Sequence, residues 1–470
     1  MRAPRLALPT AALALAACGD GASTGKGTDD TAAAGPTWHQ DVAPIVAARC
    51  GACHGPEGIS PLDLTDPAVA TPLASAIVDA VDSGRMPPWL AQDTDECAPL
   101  RPWKDDLRLS DAEKSTLRDW AAAGAPLGDP ARAAALPTPP SVEIDAPSVE
   151  LPFPDFYKVE GERDDFVCFV LDPGNTETRW VKGIQLLPGD ERVAHHALIM
   201  QDIGADTEGM HDGSGMFPCF NTPNVNGFLM GTWTPGAVPT RMPEGVGMPL
   251  FPGARLVVQM HYHPIPGEPA FDQSTVQIEW TDEAPTYEAI EQLIGNDSRQ
   301  NGDGSGLQPG PNDPPSGPAF LIPAGAQGHT EEIVFRQDFP IDLPVFAVGT
   351  HMHYVGTDMR IAVERGTPDA GEPKDECLIQ TPAWDFNWQR IYAYDVPVAD
   401  LPVIGQGDVL RLTCTYDNSL DNPFVRDALA EQGLDAPQDV RLGEETLDEM
   451  CLGLFGVVLA PGLVEQIFGE

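Results

Sequence analysis

Beyond residue 150 the chain is written almost entirely in short strand-like runs, and this limits its fold more than any other feature. Examples are 192–200 (RVAHHALIM), 255–263 (RLVVQMHYH), 344–354 (PVFAVGTHMHY), 408–416 (DVLRLTCTY) and 451–460 (CLGLFGVVLA). Gly, Pro, Asn and Asp lie between them, the residues that end strands and build turns. Gly and Pro number 46 and 49 of 470 residues, about a fifth of the chain. That composition suits a loop-rich β protein and argues against a helical bundle. A Gly/Pro/Asn/Asp stretch at 301–318 divides the strand-rich part in two.

Residues 37–135 read differently. Helix-like segments run from Thr37 to Arg49, from Ala70 to Asp82 and from Ser110 to Ala123, where Ser110 and Glu113 have capping-box spacing. Residues 136–150 form a Pro-rich linker. Inside the helical segment stands Cys50-Gly51-Ala52-Cys53-His54, the C-x-x-C-H signature of c-type haem attachment. Two thiols would add to the haem vinyl groups, and His54 would ligate iron. Met86, in Gly84-Arg85-Met86-Pro87-Pro88, is the candidate sixth ligand. Alone, the two cysteines could form a redox disulfide and Met86 could be a core residue. Taken with the surrounding helices, the motif looks like a cytochrome c domain, and His/Met ligation suits electron transfer.

The N-terminus reads as an address. Two arginines precede a short apolar run, Leu6 to Ala17, which ends Leu15-Ala16-Ala17-Cys18. This is a secretory signal that resembles a bacterial lipobox, with Cys18 as the lipid anchor. Residues 1–18 are then a lipoprotein leader and 19–36 a flexible tether. With Gly19 after the cysteine, the sorting pattern leans towards the outer membrane, facing the periplasm. Export permits disulfides. With Cys18, Cys50 and Cys53 set aside, six cysteines remain, enough for three bridges in any of 15 connectivities. Lys and Arg number 27 against 71 Asp and Glu, a net charge of −44, which argues against nucleic acid and against docking on anionic lipid.

Six of the ten histidines fall in three tight clusters on strand-like runs: His195-His196, His261-Tyr262-His263 and His351-Met352-His353. His-x-His on a strand puts both imidazoles on one face, a natural chelate. Adjacent histidines point to opposite faces, so a metal shared by His195 and His196 requires a bulge. Imidazole alone does not choose among Zn, Cu, Fe and Ni; a thioether such as Met450 would favour copper.

From about residue 150 to 460 the sequence resembles the copper type II, ascorbate-dependent monooxygenases, the family of the peptidylglycine and dopamine hydroxylating enzymes. The resemblance rests on Val193-Ala194-His195-His196, Gln259-Met260-His261-Tyr262, His351-Met352-His353, Asp448-Glu449-Met450-Cys451, Trp233 to Pro243, Trp384 to Gln389 and Cys414-Thr415-Tyr416. It implies one copper on His195, His196 and His261 that stores an electron. A second, O2-binding copper would take His351, His353 and Met450, the catalytic set. It also implies disulfides Cys168–Cys219 and Cys414–Cys451, leaving Cys97 and Cys377 to join the two parts. His263 is expected outside the ligand set.

The fold expected on this basis is multidomain. A small all-α cytochrome c domain (37–135) would precede two all-β jelly-roll-like sandwiches (151–300 and 319–465) that face each other across an open, wet cleft. The family's carboxylate-gripping Arg falls here at Gly349, and its helper Asn and Tyr at Leu452 and Leu454. Peptidylglycine is therefore not the expected substrate, and a more apolar one is. The expected function is an exported dicopper monooxygenase acting with O2 on a C–H bond of a small organic molecule. Its own haem, ascorbate or a redox partner protein would supply electrons. The alternative is a non-catalytic haem and dicopper electron-transfer lipoprotein.

Overall fold

Strand Leu452–Leu459 decides the architecture. Every residue from Leu454 to Leu459 is buried, so it reads as an interior strand flanked on both edges. On one edge it pairs antiparallel with Tyr287–Gly295, and on the other with Leu343–His351. The two strand-rich parts thus share one sheet of 15 strands. A second, five-stranded sheet runs Gly306–Leu307, Gln327–Arg336, Val409–Asp417, Gly356–Glu364, Asp375–Thr381. Along Val409–Asp417, Leu410, Leu412, Cys414 and Tyr416 are buried in strict alternation, the period expected of a half-covered strand.

The computed structural model describes residues 35–468 except 57, 142, 162, 221–224, 235–236, 266, 369–370 and 446. The leader, Cys18 and most of the tether lie outside that set. Residues from Pro36 onward cluster as one compact unit.

The expected fold class is corrected. The chain is mostly β, without a sizeable all-α N-terminal domain followed by two separate sandwiches. Helices between residues 38 and 132 are short, the longest being Asp111–Ala122 at 12 residues. They gather around a small apolar cluster that includes Trp38, Ile77, Leu117 and Trp120. From Ser83 to Ser110 there is no helix, and Trp89, Ala91, Trp103 and Leu107 belong to the main β core. Trp103 stacks on Tyr394 at 4.8 Å, and Trp89 meets Tyr392 edge-on at 5.0 Å. Large aromatic surfaces left exposed by so small a helical cluster are buried against the strands instead. The sequence signal for helices was sound where Ser110 and Glu113 do form a reciprocal capping box.

Three disulfides are present: Cys97–Cys377, Cys168–Cys219 and Cys414–Cys451. All three pairings agree with the expectation. The first ties the segment after the haem motif to strand Asp375–Thr381 across 280 residues of sequence. The third closes a separation of 37 residues, worth about 4 kcal/mol of unfolded-state entropy, and fixes the backbone next to Met450.

Candidate metal centre

Ala194 pairs with Tyr262 and His196 with His261, which leaves His195 as the extra residue of a β-bulge. The bulge turns two adjacent imidazoles towards one point, as their sharing of a metal requires. His195 Nδ1 lies 3.1 Å from His196 Nδ1, which lies 3.3 Å from His261 Nδ1. Ligands at about 2.0 Å from a tetrahedral ion stand about 3.3 Å apart, and both of these separations match that spacing. His195, His196 and His261 form the one group of three or more His, Cys, Asp or Glu with metal-binding spacing among the described residues.

Neighbours hold the rings. Phe166 stacks on His261 at 4.3 Å and Phe386 on His195 at 4.7 Å. Asp164 Oδ2 lies 3.1 Å from His261 Nε2, and its Oδ1 accepts from His263 Nδ1 at 2.7 Å. His263 therefore sits behind His261, on the carboxylate that orients it, and not among the three converging nitrogens. Burial, reinforced by neighbouring imidazoles, holds His195 and His196 well below the usual histidine range. Neutral rings are the form that binds metal.

The second set stands beside the first. His351 ends strand Leu343–His351, and His353 follows it. The His351 Nδ1–H donates to Gln389 Oε1 at 2.7 Å, and the His353 Nδ1–H donates to Asp448 O at 3.1 Å. Both Nε2 atoms are left for another partner, the arrangement found in metal-ligating histidines. Burial depresses both rings, His353 to about 3. Met450 is half-buried and lines the same cavity as His351, His353 and His196. Its N–H donates to Glu449 Oε2 at 2.9 Å, its carbonyl accepts from Tyr416 Oη at 2.9 Å, and the Glu449 carboxylate also takes the His353 N–H. The His196 and His351 rings are only 6.2 Å apart. The two sets adjoin; they do not face each other across a wide cleft, because the shared sheet brings their strands together.

The cavity beside them has a volume of about 200 Å³ and is more apolar than polar. Gly349, Leu452 and Leu454 line it, so the three departures from the family pattern all face this space. Opposite them is a residue the sequence reading passed over. Glu291, on strand Tyr287–Gly295, is fully buried, and neither carboxylate oxygen has a hydrogen-bond partner. Burial alone raises it to about 8. The available signal was a carboxylate at an inward position of this strand, and Glu288 on the same strand gives the same signal.

Residues Trp384–Gln389 serve both sets. Phe386 covers His195, Gln389 orients His351, and Trp384 Nε1–H donates to the His353 carbonyl at 3.2 Å.

In the C-x-x-C-H motif, Cys50 and Cys53 are unbridged, half-buried thiols, Cys50 at the N-terminal end of the one-turn helix Gly51–His54 and Cys53 within it. The His54 Nδ1–H donates to Leu62 O at 3.1 Å, which leaves Nε2 for another partner. A Cβ at Gly58 would stand 2.1 Å from the Cys53 carbonyl, so only glycine lets the chain fold back this closely. Met86 is half-buried in the loop after helix Ala74–Asp82, its N–H on Ala80 O at 3.1 Å.

The sequence matches no protein-family profile and no curated protein. Among solved structures it is similar to the VP2 subviral particle of infectious bursal disease virus, at 7% identity and TM-score 0.19, covering 68% of this chain and 73% of that one. The major capsid protein P2 of bacteriophage PM2 gives 9% and 0.20 (63% and 97% covered), and broad bean stain virus 10% and 0.22 (63% and 76%). Likeness at this level carries no argument about this chain.

Proposed function

We propose that this chain is an exported dicopper monooxygenase that hydroxylates a C–H bond of a small organic substrate with O2. The single observation carrying this reading is the convergence of His195, His196 and His261 beside His351, His353 and the Met450 cavity. His195, His196 and His261 would hold one copper, and His351, His353 and Met450 the other. Bound copper supplies one-electron chemistry and O2 activation, and the soft thioether of Met450 favours the reduced ion. Gly349, Leu452 and Leu454 would seat an apolar substrate and exclude water beside the second set. Cys50 and Cys53 would carry a c-type haem, with His54 and Met86 as the residues that would hold its iron, as an internal electron donor alongside ascorbate or a redox partner. The disulfides support an oxidising, extracytoplasmic setting. A lipid anchor at Cys18 completes the proposal.

Substrate-dependent O2 consumption by copper-loaded, reduced protein tests this reading against a purely electron-transferring one. His261→Ala removes one of three imidazoles and is expected to halve the copper content and to cut product yield per single turnover. Metal analysis beside product quantification checks it; unchanged copper in this variant rejects the three-histidine site. Met86→Ala is expected to keep covalent haem but to lose the sulfur–iron absorption band and lower the haem potential. An unchanged spectrum removes Met86 from the residues that would hold the iron.

A further inference from the structure

Two nitrogen donors on the wall of the cavity beside the histidine sets have no acceptor. Arg390 and Trp89 both line this cavity, and the Arg390 guanidinium lies over the Trp89 ring at 4.7 Å. The Arg390 Nε–H and the Trp89 Nε1–H are sealed from solvent, and neither has an acceptor among the described residues. Of the two aspartates whose charge reaches Arg390, Asp106 is taken by Arg108, and Asp105 makes no hydrogen bond to it. Buried donors are normally paired, and a guanidinium taken out of water normally has an anion. Two orphans in contact on one wall point to an acceptor that arrives with a ligand.

Both donors are fixed in place. Trp89 meets Tyr392 edge-on, and Tyr392 Oη accepts from the Leu90 and Ala91 N–H groups at 3.0 and 3.3 Å. Arg390 directly precedes strand Ile391–Ala393, which pairs with Leu343–His351 through Ile391 and Gly349. A Cβ at Gly349 would stand 3.5 Å from the Arg390 carbonyl. The residue before Arg390, Gln389, holds the His351 ring. The donor pair therefore stands beside the second histidine set, next to the wall formed by Gly349, Leu452 and Leu454.

The donors select the acceptor. A neutral oxygen leaves the guanidinium charge uncompensated. A phosphate brings up to two negative charges to a wall that offers one positive one. A carboxylate brings one charge and two oxygens, which match the planar fork of an arginine. We propose that Arg390 and Trp89 bind a substrate carboxylate, so that the substrate is an amphiphile with one carboxylate on an apolar body. The body would lie over Gly349, Leu452 and Leu454, within reach of His351. This deepens the monooxygenase reading of the same cavity and rests on it.

The test is calorimetric binding to the full-length chain stripped of metal, where a carboxylate cannot sit on copper. The probes are 4-phenylbutyrate and its neutral and cationic counterparts, 4-phenylbutanol and 4-phenylbutylamine. Wild type should prefer the carboxylate to the alcohol by at least about tenfold, the size of one charge-assisted hydrogen bond. Arg390→Gln should remove that preference by weakening the carboxylate alone. Arg390→Lys keeps the charge without the fork and should retain part of the preference. Trp89→Phe keeps the ring under the guanidinium but not the N–H, and should weaken the carboxylate several-fold; it carries the test if the Arg390 variants do not accumulate. No preference for the carboxylate in wild type, including no binding of any probe, overturns the proposal. Equal weakening of acid and alcohol by Arg390→Gln also overturns it, because Arg390 then only supports Trp89. Tightest binding of the amine overturns it in favour of an acidic anchor. The two readings fail separately. Selective carboxylate binding without substrate-dependent O2 consumption by the copper-loaded protein removes the monooxygenase reading and leaves the carboxylate site. Hydroxylation of the alcohol or amine by a protein with no preference for the carboxylate does the reverse.

Discussion

On the proposed dicopper reading, Met450→His should retain copper and lose hydroxylation. The backbone at this position is fixed independently of the side chain. The Met450 N–H is held by Glu449, its carbonyl by Tyr416, and Cys451 is bridged to Cys414. Exchange of the side chain therefore leaves the fold in place. His351 and His353 stay positioned by Gln389 and Asp448, and a third imidazole adds a good ligand for Cu(II). What disappears is the soft thioether that makes the reduced ion accessible. Turnover should drop by more than about a hundredfold, beyond the range for disturbing a ligand's support, while metal analysis shows full loading. Full turnover by Met450→His would remove Met450 from the O2-binding site.

Glu291→Gln should stabilise the protein at alkaline pH. The native carboxyl is pushed up to about 8 by burial, whereas an unfolded glutamate titrates near its ordinary value of 4.5. A raised folded value means that the native state holds a proton the unfolded state has released. The stabilisation is complete below pH 4.5 and is lost progressively as pH rises through about 8. Across that window the difference amounts to roughly 5 kcal/mol, an order-of-magnitude figure at 1.36 kcal/mol per unit. Glutamine has the same shape and no proton to lose. Denaturant midpoints of the two proteins should diverge from pH 5 to pH 9, with the variant above wild type. Glu449, also raised to about 8, titrates in both and cancels in the comparison. Parallel stability curves would show that Glu291 does not ionise in a dry cavity.

The local geometry of the site was legible in the sequence because it follows from backbone periodicity. His-x-His places two rings on one strand face, and an adjacent pair demands a bulge, which the structure has at His195. The family resemblance carried two disulfides, and the third followed from the two cysteines left over. Local polar spacing likewise gave the Ser110–Glu113 cap.

The fold class was not legible, and the reason is long-range pairing. Strand Leu452–Leu459 has the composition of any buried strand, and nothing in it says that its two neighbours come from opposite sides of the 301–318 stretch. Nor does the helix-like reading of 37–135 disclose that Trp89 and Trp103 are buried against Tyr392 and Tyr394. Glu291, Gln389, Arg390 and Asp164 stayed hidden for the same cause: each is an ordinary polar residue until a distant segment surrounds it. By itself, the sequence picked out residues whose side chains carry metal- or haem-binding chemistry and required a bulge at His195, because those depend on side-chain chemistry and a two-residue period. Only the tertiary structure decided that the two histidine sets adjoin and that their cavity holds an unpaired carboxyl, because burial and charge pairing belong to contacts between residues far apart in the chain.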